Sequence, residues 1–224
     1  MKKSELINFE KDIKQMYIDG KLRSPIHLSG GNEIALINIF KNIQKEDWIF
    51  STWRSHYHAL LKGINKNWLK NWVLDNKSIH VMNKEHKFFT SAIVGGIIPI
   101  ALGVAWSIKL KGGTEKVWCF IGDMTANTGS FRECHQFAKN FHLPIKFIIE
   151  DNQLSTDTPT KVVWGYNQNN RGIKNSGNRI SWFLNKKYVQ HIIYYKYKRI
   201  YPHYGCGVFV DFKDRGLEQG GKHF

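Results

Sequence analysis

The fold of this chain is decided by the stretch Val117-Trp-Cys-Phe-Ile-Gly-Asp-Met-Thr-Ala-Asn-Thr-Gly129, with Leu143-Pro-Ile-Lys-Phe-Ile-Ile-Glu-Asp-Asn152 following it. Each stretch contains an apolar run, continuous at 117–121 and broken only by Lys146 at 145–149, as expected for a strand that is buried on both faces. A strand–helix–strand unit is right-handed almost without exception, and its two strands are parallel. The pattern therefore predicts an α/β protein, with a parallel sheet flanked by helices.

The segment between the two strands carries the signals of a helix. Ser130 and Glu133 form the S-x-x-E pattern of a capping box, which predicts a helix start, and Pro144 marks its end. We expect its apolar residues to face the sheet, because they recur at helical spacing; they are Phe131, Cys134, Phe137, Ala138 and Phe141. His135 and His142, on and after this helix, are interpreted as solvent-facing.

Asp123 and Asn152 follow the two strands, and parallel strands bring their carboxyl ends to one edge, where open α/β sheets bind ligands. Magnesium prefers oxygen ligands and is usually held by one or two protein groups plus phosphates. The turn 122–129 also directs backbone N–H groups toward that edge. A magnesium–diphosphate site is therefore plausible. The same residues also fit a plain strand–turn–helix, with Asp123 as a cap and Asn152 as a turn former.

Composition predicts one globular domain over 1–224, with an irregular Asn- and Gly-rich segment at 161–190 and a flexible tail at 213–224. The chain has 224 residues, 42% of them hydrophobic, and no 18-residue apolar run that would indicate a membrane span. The first helix, over about residues 4–20, carries acidic residues that transit peptides avoid, and the three cysteines fit a reducing compartment. We expect a cytoplasmic protein.

The formal net charge of +15 supports nucleic-acid binding as an alternative function. The densest basic cluster, 186–199, interleaves lysines with aromatic residues and could stack on a single strand. Elsewhere the lysines are scattered, and a charge run is usually a solvated face. We therefore favour a diphosphate, anionic substrates or an acidic subunit as the partners of this positive charge.

Several ordered motifs, spread from near residue 6 to beyond residue 160, resemble one family. The stretch 122–152 is similar to the thiamine diphosphate motif, which begins Gly-Asp-Gly and ends Asn-Asn. The other segments resemble motifs of the alpha subunit of two-subunit 2-oxoacid dehydrogenases, of the pyruvate, branched-chain and acetoin types. They are His27-Leu-Ser-Gly-Gly-Asn-Glu33, Phe50-Ser-Thr-Trp-Arg-Ser-His56, Ser78-Ile-His80 and Ile93-Val-Gly-Gly-Ile-Ile-Pro99.

This resemblance implies a thiamine-diphosphate-binding fold with a shortened C-terminal region, and roles for individual residues. Asp123, Asn152 and the backbone carbonyl of Leu154 would bind Mg²⁺. Arg54 would hold the diphosphate, and the backbone around Val94 would contact the aminopyrimidine ring. The implied cofactor-binding residues are Trp53, Arg54, Val94, Gly122, Asp123, Met124, Thr125, Glu150, Asn152 and Arg199.

The segment Tyr195-Lys-Tyr-Lys-Arg-Ile-Tyr-Pro-His203 resembles the family's Tyr-Arg-x-x-Gly-His loop. The resemblance implies that His203 is the catalytic histidine near the reacting carbon, where an imidazole suits proton transfer near pH 7. Of the histidines that follow Arg54, His56 and His58, we interpret one as structural.

The activity implied is decarboxylation of a 2-oxoacid with transfer of the acyl group to a lipoyl acceptor, on a lipoyl-bearing acyltransferase. A beta subunit would complete the cofactor site, because the sequence contains no second α/β domain that could hold the aminopyrimidine; the assembly would be a heterotetramer. The sequence departs from the family motif at Met124, which replaces a glycine and is expected to crowd the turn, and at Asp151, which replaces an asparagine. A related carbon–carbon ligase or lyase subunit is one alternative. Met124 and the shortened segment after Asn152 suggest another, a degenerate, non-catalytic subunit.

Overall fold

Helices and strands alternate along the chain, as the apolar runs predict. The computed structural model describes residues 1–156, 158–163 and 191–201. Its helices are α1 (Lys3–Ile18), α2 (Glu33–Phe40), α3 (His56–Leu61), α4 (Lys66–Leu74), α5 (Ile97–Leu110), α6 (Gly129–Asn140) and α7 (Thr160–Val163), with a 3₁₀ turn at Thr125–Asn127. Its strands are β1 (Trp48–Thr52), β2 (Met82–Asn83), β3 (Phe88–Ser91), β4 (Val117–Gly122), β5 (Ile145–Asp151), β6 (Leu154–Ser155), β7 (Thr158–Pro159) and β8 (Ile192–Lys196).

Six of these strands form one sheet in the order β2-β3-β1-β4-β5-β8. The pairs β1–β3, β1–β4, β4–β5 and β5–β8 are parallel, and only β2 runs antiparallel to its neighbour. The predicted α/β class, with a mostly parallel sheet, is confirmed. The carboxyl ends of five strands therefore meet at one edge, and the segments that follow these strands form any ligand site there.

The sheet is covered by helices on both faces, and β4 shows this through its alternating side chains. Trp118 and Phe120 pack in one hydrophobic cluster with residues of α1, α2, α3 and α4. Val117, Cys119 and Ile121 pack in a second cluster with residues of α5 and α6. All five side chains are buried, which is why the strand reads as a continuous apolar run.

The structure corrects three expectations about α6. The helix begins at Gly129, and its N-cap is Thr128, whose Oγ1 accepts the N–H of Phe131 at 3.4 Å, rather than Ser130. Phe137 and Phe141 are 40% and 41% exposed and pack edge-on against Trp106 of α5 instead of facing the sheet.

His135 was expected in solvent but is only 4% exposed, and its ring stacks on Phe131 with centroids 5.7 Å apart. The buried face of α6 is thus narrower than the set of apolar residues suggests, and it includes His135. The N-terminal helix is present as predicted.

The predicted irregular segment and tail fall largely outside the described residues. Residues 161–163 belong to α7, whereas 164–190 and 213–224, like His203 and Cys206, are not described. Within the described part of the chain, no helix has the length and apolar character needed to cross a bilayer.

Candidate functional site

A cleft of about 580 Å³, including its opening to solvent, lies at the carboxyl edge of the sheet. All the predicted cofactor and metal residues line it except Arg199. The predicted catalytic residue, His203, lies outside the described residues. The lining of the cleft consists of Thr52, Trp53, Arg54, Val94, Gly122, Asp123, Met124, Thr125, Glu150, Asn152, Leu154, Ser155, Thr156 and Tyr197.

Asp123 lies at the end of β4 and is 3% exposed. The pKa of its carboxyl is raised to about 7, chiefly by burial and also by the nearby carboxylate of Asp151, while a hydrogen bond from the Thr160 hydroxyl at 2.5 Å lowers it. The backbone N–H of Asn152 also lowers this pKa, so the two predicted metal ligands are brought together. A buried carboxylate beside another one is a site at which a cation would be favoured.

Asn152 occupies the equivalent position after β5. Its Oδ1 accepts the N–H of Leu154 at 3.0 Å, and its Nδ2 donates to the hydroxyl of Tyr197 at 3.4 Å. A carbonyl oxygen has two lone pairs, so Oδ1 keeps one for a further partner.

These groups fit a magnesium ion held together with phosphate oxygens. The donors are all oxygens: one carboxylate, one amide and the carbonyl of Leu154 in the same turn. The described residues contain no cluster of three or more His, Cys, Asp or Glu that could hold a metal unaided. In the diphosphate hypothesis, the additional ligands would be phosphate oxygens and water.

Arg54 supplies the positive side of the cleft. Its guanidinium is half-buried and donates through Nη1 to the carbonyl of Leu28. Burial lowers the pKa of Arg54, and the charge of Arg199 nearby lowers it further, while Glu10 and Glu150 raise it. A second guanidinium close enough to lower the pKa of Arg54 defines a place where an anion would be stabilised.

Arg199 lies within the described residues, whereas His203, which belongs to the same predicted loop, does not. Its Nη1 donates to the carbonyl of Thr156 at 2.6 Å, and Thr156 lines the cleft. The segment 198–201 therefore lies beside the cleft, which is where the resemblance to the family's loop requires it. The role of His203 stays a prediction.

Met124 does not crowd its turn as expected. Its backbone has φ −61° and ψ −47°, the ordinary right-handed helical region. Glycine is required only where φ is positive or where a Cβ would clash. The glycine of the family motif is therefore replaceable here, and the thioether side chain lines the cleft.

Sequence reasoning missed a buried network around Glu150. Its Oε1 is contacted by His58 Nε2 at 3.2 Å, by Asn32 Nδ2 at 3.3 Å and by the Tyr195 hydroxyl. His58 Nδ1 reaches Ser51 Oγ at 2.8 Å. The sequence signal was the alternation of Tyr195, in β8, and Tyr197, just after it, which is typical of two side chains on one face of a sheet.

His56 lies outside the cleft, although it follows Arg54 closely. It is fully buried, its Nε2 contacts Ser78 Oγ at 2.9 Å, and its Nδ1 lies 3.8 Å from Glu10 Oε1. Burial, together with the charge of Arg54, lowers the pKa of His56 to about 4, so the ring is neutral at pH 7. It is a structural group behind the arginine.

The fold and this cleft define an α/β protein whose ligand site is built from the carboxyl ends of parallel strands. The family model for the dehydrogenase E1 component matches residues 1–167, three quarters of the chain. The chain therefore belongs to the dehydrogenase E1 component family, and the resemblance predicted from its motifs is confirmed. The match contains Arg54, Asp123 and Asn152.

Three relatives show the range of similarity. The alpha-3 subunit of the chloroplastic pyruvate dehydrogenase E1 component of Arabidopsis thaliana is 34% identical over 161 residues, covering 65% of this chain and 38% of that protein. The corresponding alpha subunit of Porphyra purpurea is 32% identical, with 65% and 47% covered. The alpha subunit of the acetoin:2,6-dichlorophenolindophenol oxidoreductase of Bacillus subtilis is 27% identical, with 69% and 50% covered.

The chain thus spans half or less of the length of these curated relatives. Among solved structures, it is similar to one described as a putative thiamin diphosphate-dependent enzyme from Mycobacterium smegmatis. That likeness has a TM-score of 0.39 and 16% identity, and it covers 58% of this chain and 23% of the other.

Proposed function

We propose that this chain is the thiamine-diphosphate-binding alpha subunit of a 2-oxoacid dehydrogenase. The observation that carries the proposal is the meeting of Arg54, Asp123 and Asn152 in one cleft, inside the region that matches the E1 family. The first two residues are far apart in sequence, so their convergence is a property of the fold.

In this proposal each residue binds one part of the cofactor. Arg54 holds the diphosphate, because a guanidinium makes bidentate, charge-assisted hydrogen bonds to phosphate. Arg199 adds a second positive charge. Asp123, Asn152 and the Leu154 carbonyl bind Mg²⁺, which links the protein to the diphosphate.

The remaining lining residues shape the cleft. Val94, Met124 and Leu154 supply apolar surface that excludes water from the cofactor, and Trp53 packs at the side near His27. The bound thiamine diphosphate supplies the nucleophilic carbon and the electron sink for decarboxylation. His203 is proposed to hydrogen-bond the reacting group and to move protons there.

The partners follow from what the cleft leaves open. Ile93 and Val94, in the loop between β3 and α5, are 72% and 53% exposed, and Val94 lines the cleft. Exposed apolar residues beside a half-built site favour association with another subunit. We propose a beta subunit that completes the site in a heterotetramer, a lipoyl-bearing acyltransferase that accepts the acyl group, and a cytoplasmic location.

Two observations favour this proposal over a carbon–carbon ligase or a degenerate subunit. The relatives described above include alpha subunits of pyruvate dehydrogenases and of an acetoin oxidoreductase. Met124, one ground for suspecting degeneration, occupies an unstrained turn.

The test is a reconstitution. The chain is purified alone and with its beta-type partner, and decarboxylation of pyruvate and longer 2-oxoacids is measured with Mg²⁺, thiamine diphosphate and 2,6-dichlorophenolindophenol as electron acceptor. We expect turnover only for the pair, and its loss when Asp123 is replaced by alanine. Full turnover by the chain alone would contradict the shared site, and none by any combination would contradict the proposed activity.

A further inference from the structure

Glu10 is a carboxylate buried in the core, on the face of α1 that meets the loop 27–31. It is fully buried, and both of its oxygens lie 2.9 Å from the backbone nitrogen of Ser29, whose N–H they accept. Burial raises the pKa of the Glu10 carboxyl to about 8, while the N–H of Ser29 and the hydroxyl of Tyr57 lower it. A carboxyl group is costly to bury without hydrogen-bond partners, and the N–H of Ser29 is its partner here.

The loop 27–31 lies directly behind Arg54. The carbonyl of Leu28, next to Ser29, accepts the Arg54 Nη1 hydrogen bond. Glu10 also raises the pKa of Arg54 through space. Glu10 is therefore linked to the arginine through the peptide unit between Leu28 and Ser29, although its side chain does not line the cleft.

The opposite side of the loop packs closely against the segment that carries Arg199. Gly30 and Gly31 both have positive φ, +57° and +98°, and a Cβ on Gly31 would lie 2.2 Å from the Lys198 carbonyl oxygen. The N–H of Ile200 donates to the Gly30 carbonyl at 3.3 Å. Any shift of the loop would move both arginine-bearing segments, because the packing leaves it no free space on that side.

We propose that Glu10 is a positioning residue for the diphosphate end of the cofactor site, fixing through Ser29 the loop whose Leu28 carbonyl orients Arg54. The inference rests on the proposed function, since it assigns to Glu10 the orientation of the group that binds the diphosphate. Glu10 does not touch the ligand. Its effect on binding must therefore pass through Arg54.

A double-mutant cycle tests this directly. Thiamine diphosphate is titrated at fixed Mg²⁺ into the chain with its beta-type partner, for the parent, Glu10→Gln, Arg54→Ala and the double variant. We expect Glu10→Gln to raise the Kd about fivefold in the parent background and to leave it unchanged once Arg54 is alanine, since residues in one network couple by such amounts. Equal effects in the two backgrounds would overturn the inference.

Asp47→Asn is the matched control for a merely structural role. Asp47 is also a buried carboxylate that holds a backbone N–H, that of Lys116 at 2.8 Å, but it precedes β1 at the opposite edge of the sheet. We expect it to lower the melting temperature without changing the Kd. If Asp47→Asn weakens binding as much as Glu10→Gln, the effect of Glu10 is general destabilisation and the inference is wrong.

Gly31→Ala provides a second route in case Glu10→Gln does not fold. It displaces the same loop from the Lys198 side, and we expect the same signature, a weaker cofactor affinity only while Arg54 is present; an effect that persists without Arg54 would contradict the inference. A parent complex that does not bind thiamine diphosphate would overturn the proposed function together with this inference. Binding that depends on Arg54 but not on Glu10 or Gly31 would overturn this inference alone.

Discussion

Two aspartates at opposite edges of the same sheet are equally buried but differently satisfied. Asp47, before β1, and Asp123, after β4, are each 3% exposed. Asp47 Oδ1 accepts the N–H of Lys116 at 2.8 Å, and its Oδ2 accepts the N–H of Gln44 at 3.0 Å and Trp118 Nε1–H at 2.9 Å. The protein itself supplies what this carboxylate needs.

The carboxyl of Asp123 faces a cleft and has a perturbed pKa. The Thr160 hydroxyl donates a hydrogen bond to it, and the backbone N–H groups of Asp123 and Asn152 also lower its pKa, yet that pKa rises to about 7, chiefly because the group is buried. A carboxylate with a strongly perturbed pKa in a cleft is a candidate functional group, whereas a fully hydrogen-bonded one is a structural group. Equal burial therefore does not distinguish the two aspartates, but the perturbed pKa of Asp123 and its position in the cleft do.

The largest expected effect is the loss of cofactor binding in Asp123→Ala. Removing the only carboxylate among the proposed ligands should weaken Mg²⁺-dependent binding of thiamine diphosphate by about 3 kcal/mol or more, as for breaking a buried ion pair. Isothermal titration of the complex with its beta-type partner, with and without a chelator, measures it. Unchanged affinity would place the metal elsewhere.

Asp47→Ala should produce the reverse pattern. It leaves three N–H donors without their acceptor, at about 1 kcal/mol or more each, so the free energy of unfolding should fall by about 3 kcal/mol. Denaturant unfolding measures this, and cofactor affinity should stay at the parent value. If the variant unfolds with the same free energy as the parent, Asp47 does not stabilise the amino-terminal edge of the sheet.

Arg54→Ala should weaken thiamine diphosphate binding by about 2 kcal/mol, a typical loss for hydrogen bonds to a charged group. Arg54→Lys should recover only part of it, because an ammonium cannot copy the planar fork of a guanidinium. The comparison of the two variants by titration isolates geometry from charge. Full affinity in Arg54→Ala would remove the residue from the site.

The smallest effect is expected for Thr160→Val, which removes the hydroxyl donor to Asp123 while keeping the shape of the side chain. Losing one hydrogen bond that orients a metal ligand should weaken Mg²⁺-dependent binding by about 1 kcal/mol. Trp118→Phe, which removes one donor from Asp47, is the matched change at the other edge. It should lower the free energy of unfolding without changing the affinity for thiamine diphosphate. A loss of affinity in Trp118→Phe would contradict the assignment of binding to one edge and of stability to the other.

Local pattern succeeded where one physical signal dominates. The runs 117–121 and 145–149, the second broken only by Lys146, became β4 and β5 because largely apolar sequence suits a strand covered on both faces. Phe137 and Phe141 were misplaced because the 3.6-residue period marks an apolar side of α6 but not how wide the buried stripe is. Both pack against Trp106, a partner on another helix that α6 alone does not indicate.

The sequence by itself determined the family, the α/β class and the position of Asp123 and Asn152 at one edge. Those inferences depend on apolar runs, on short-range motifs and on the handedness of strand–helix–strand units, which are properties of neighbouring residues. Only the tertiary structure decided that Arg54 lies beside Arg199, that Glu10 supports the loop behind it and that His58 bonds to Glu150. Such contacts join residues far apart in the chain, and packing in three dimensions, rather than periodicity, sets which of them meet.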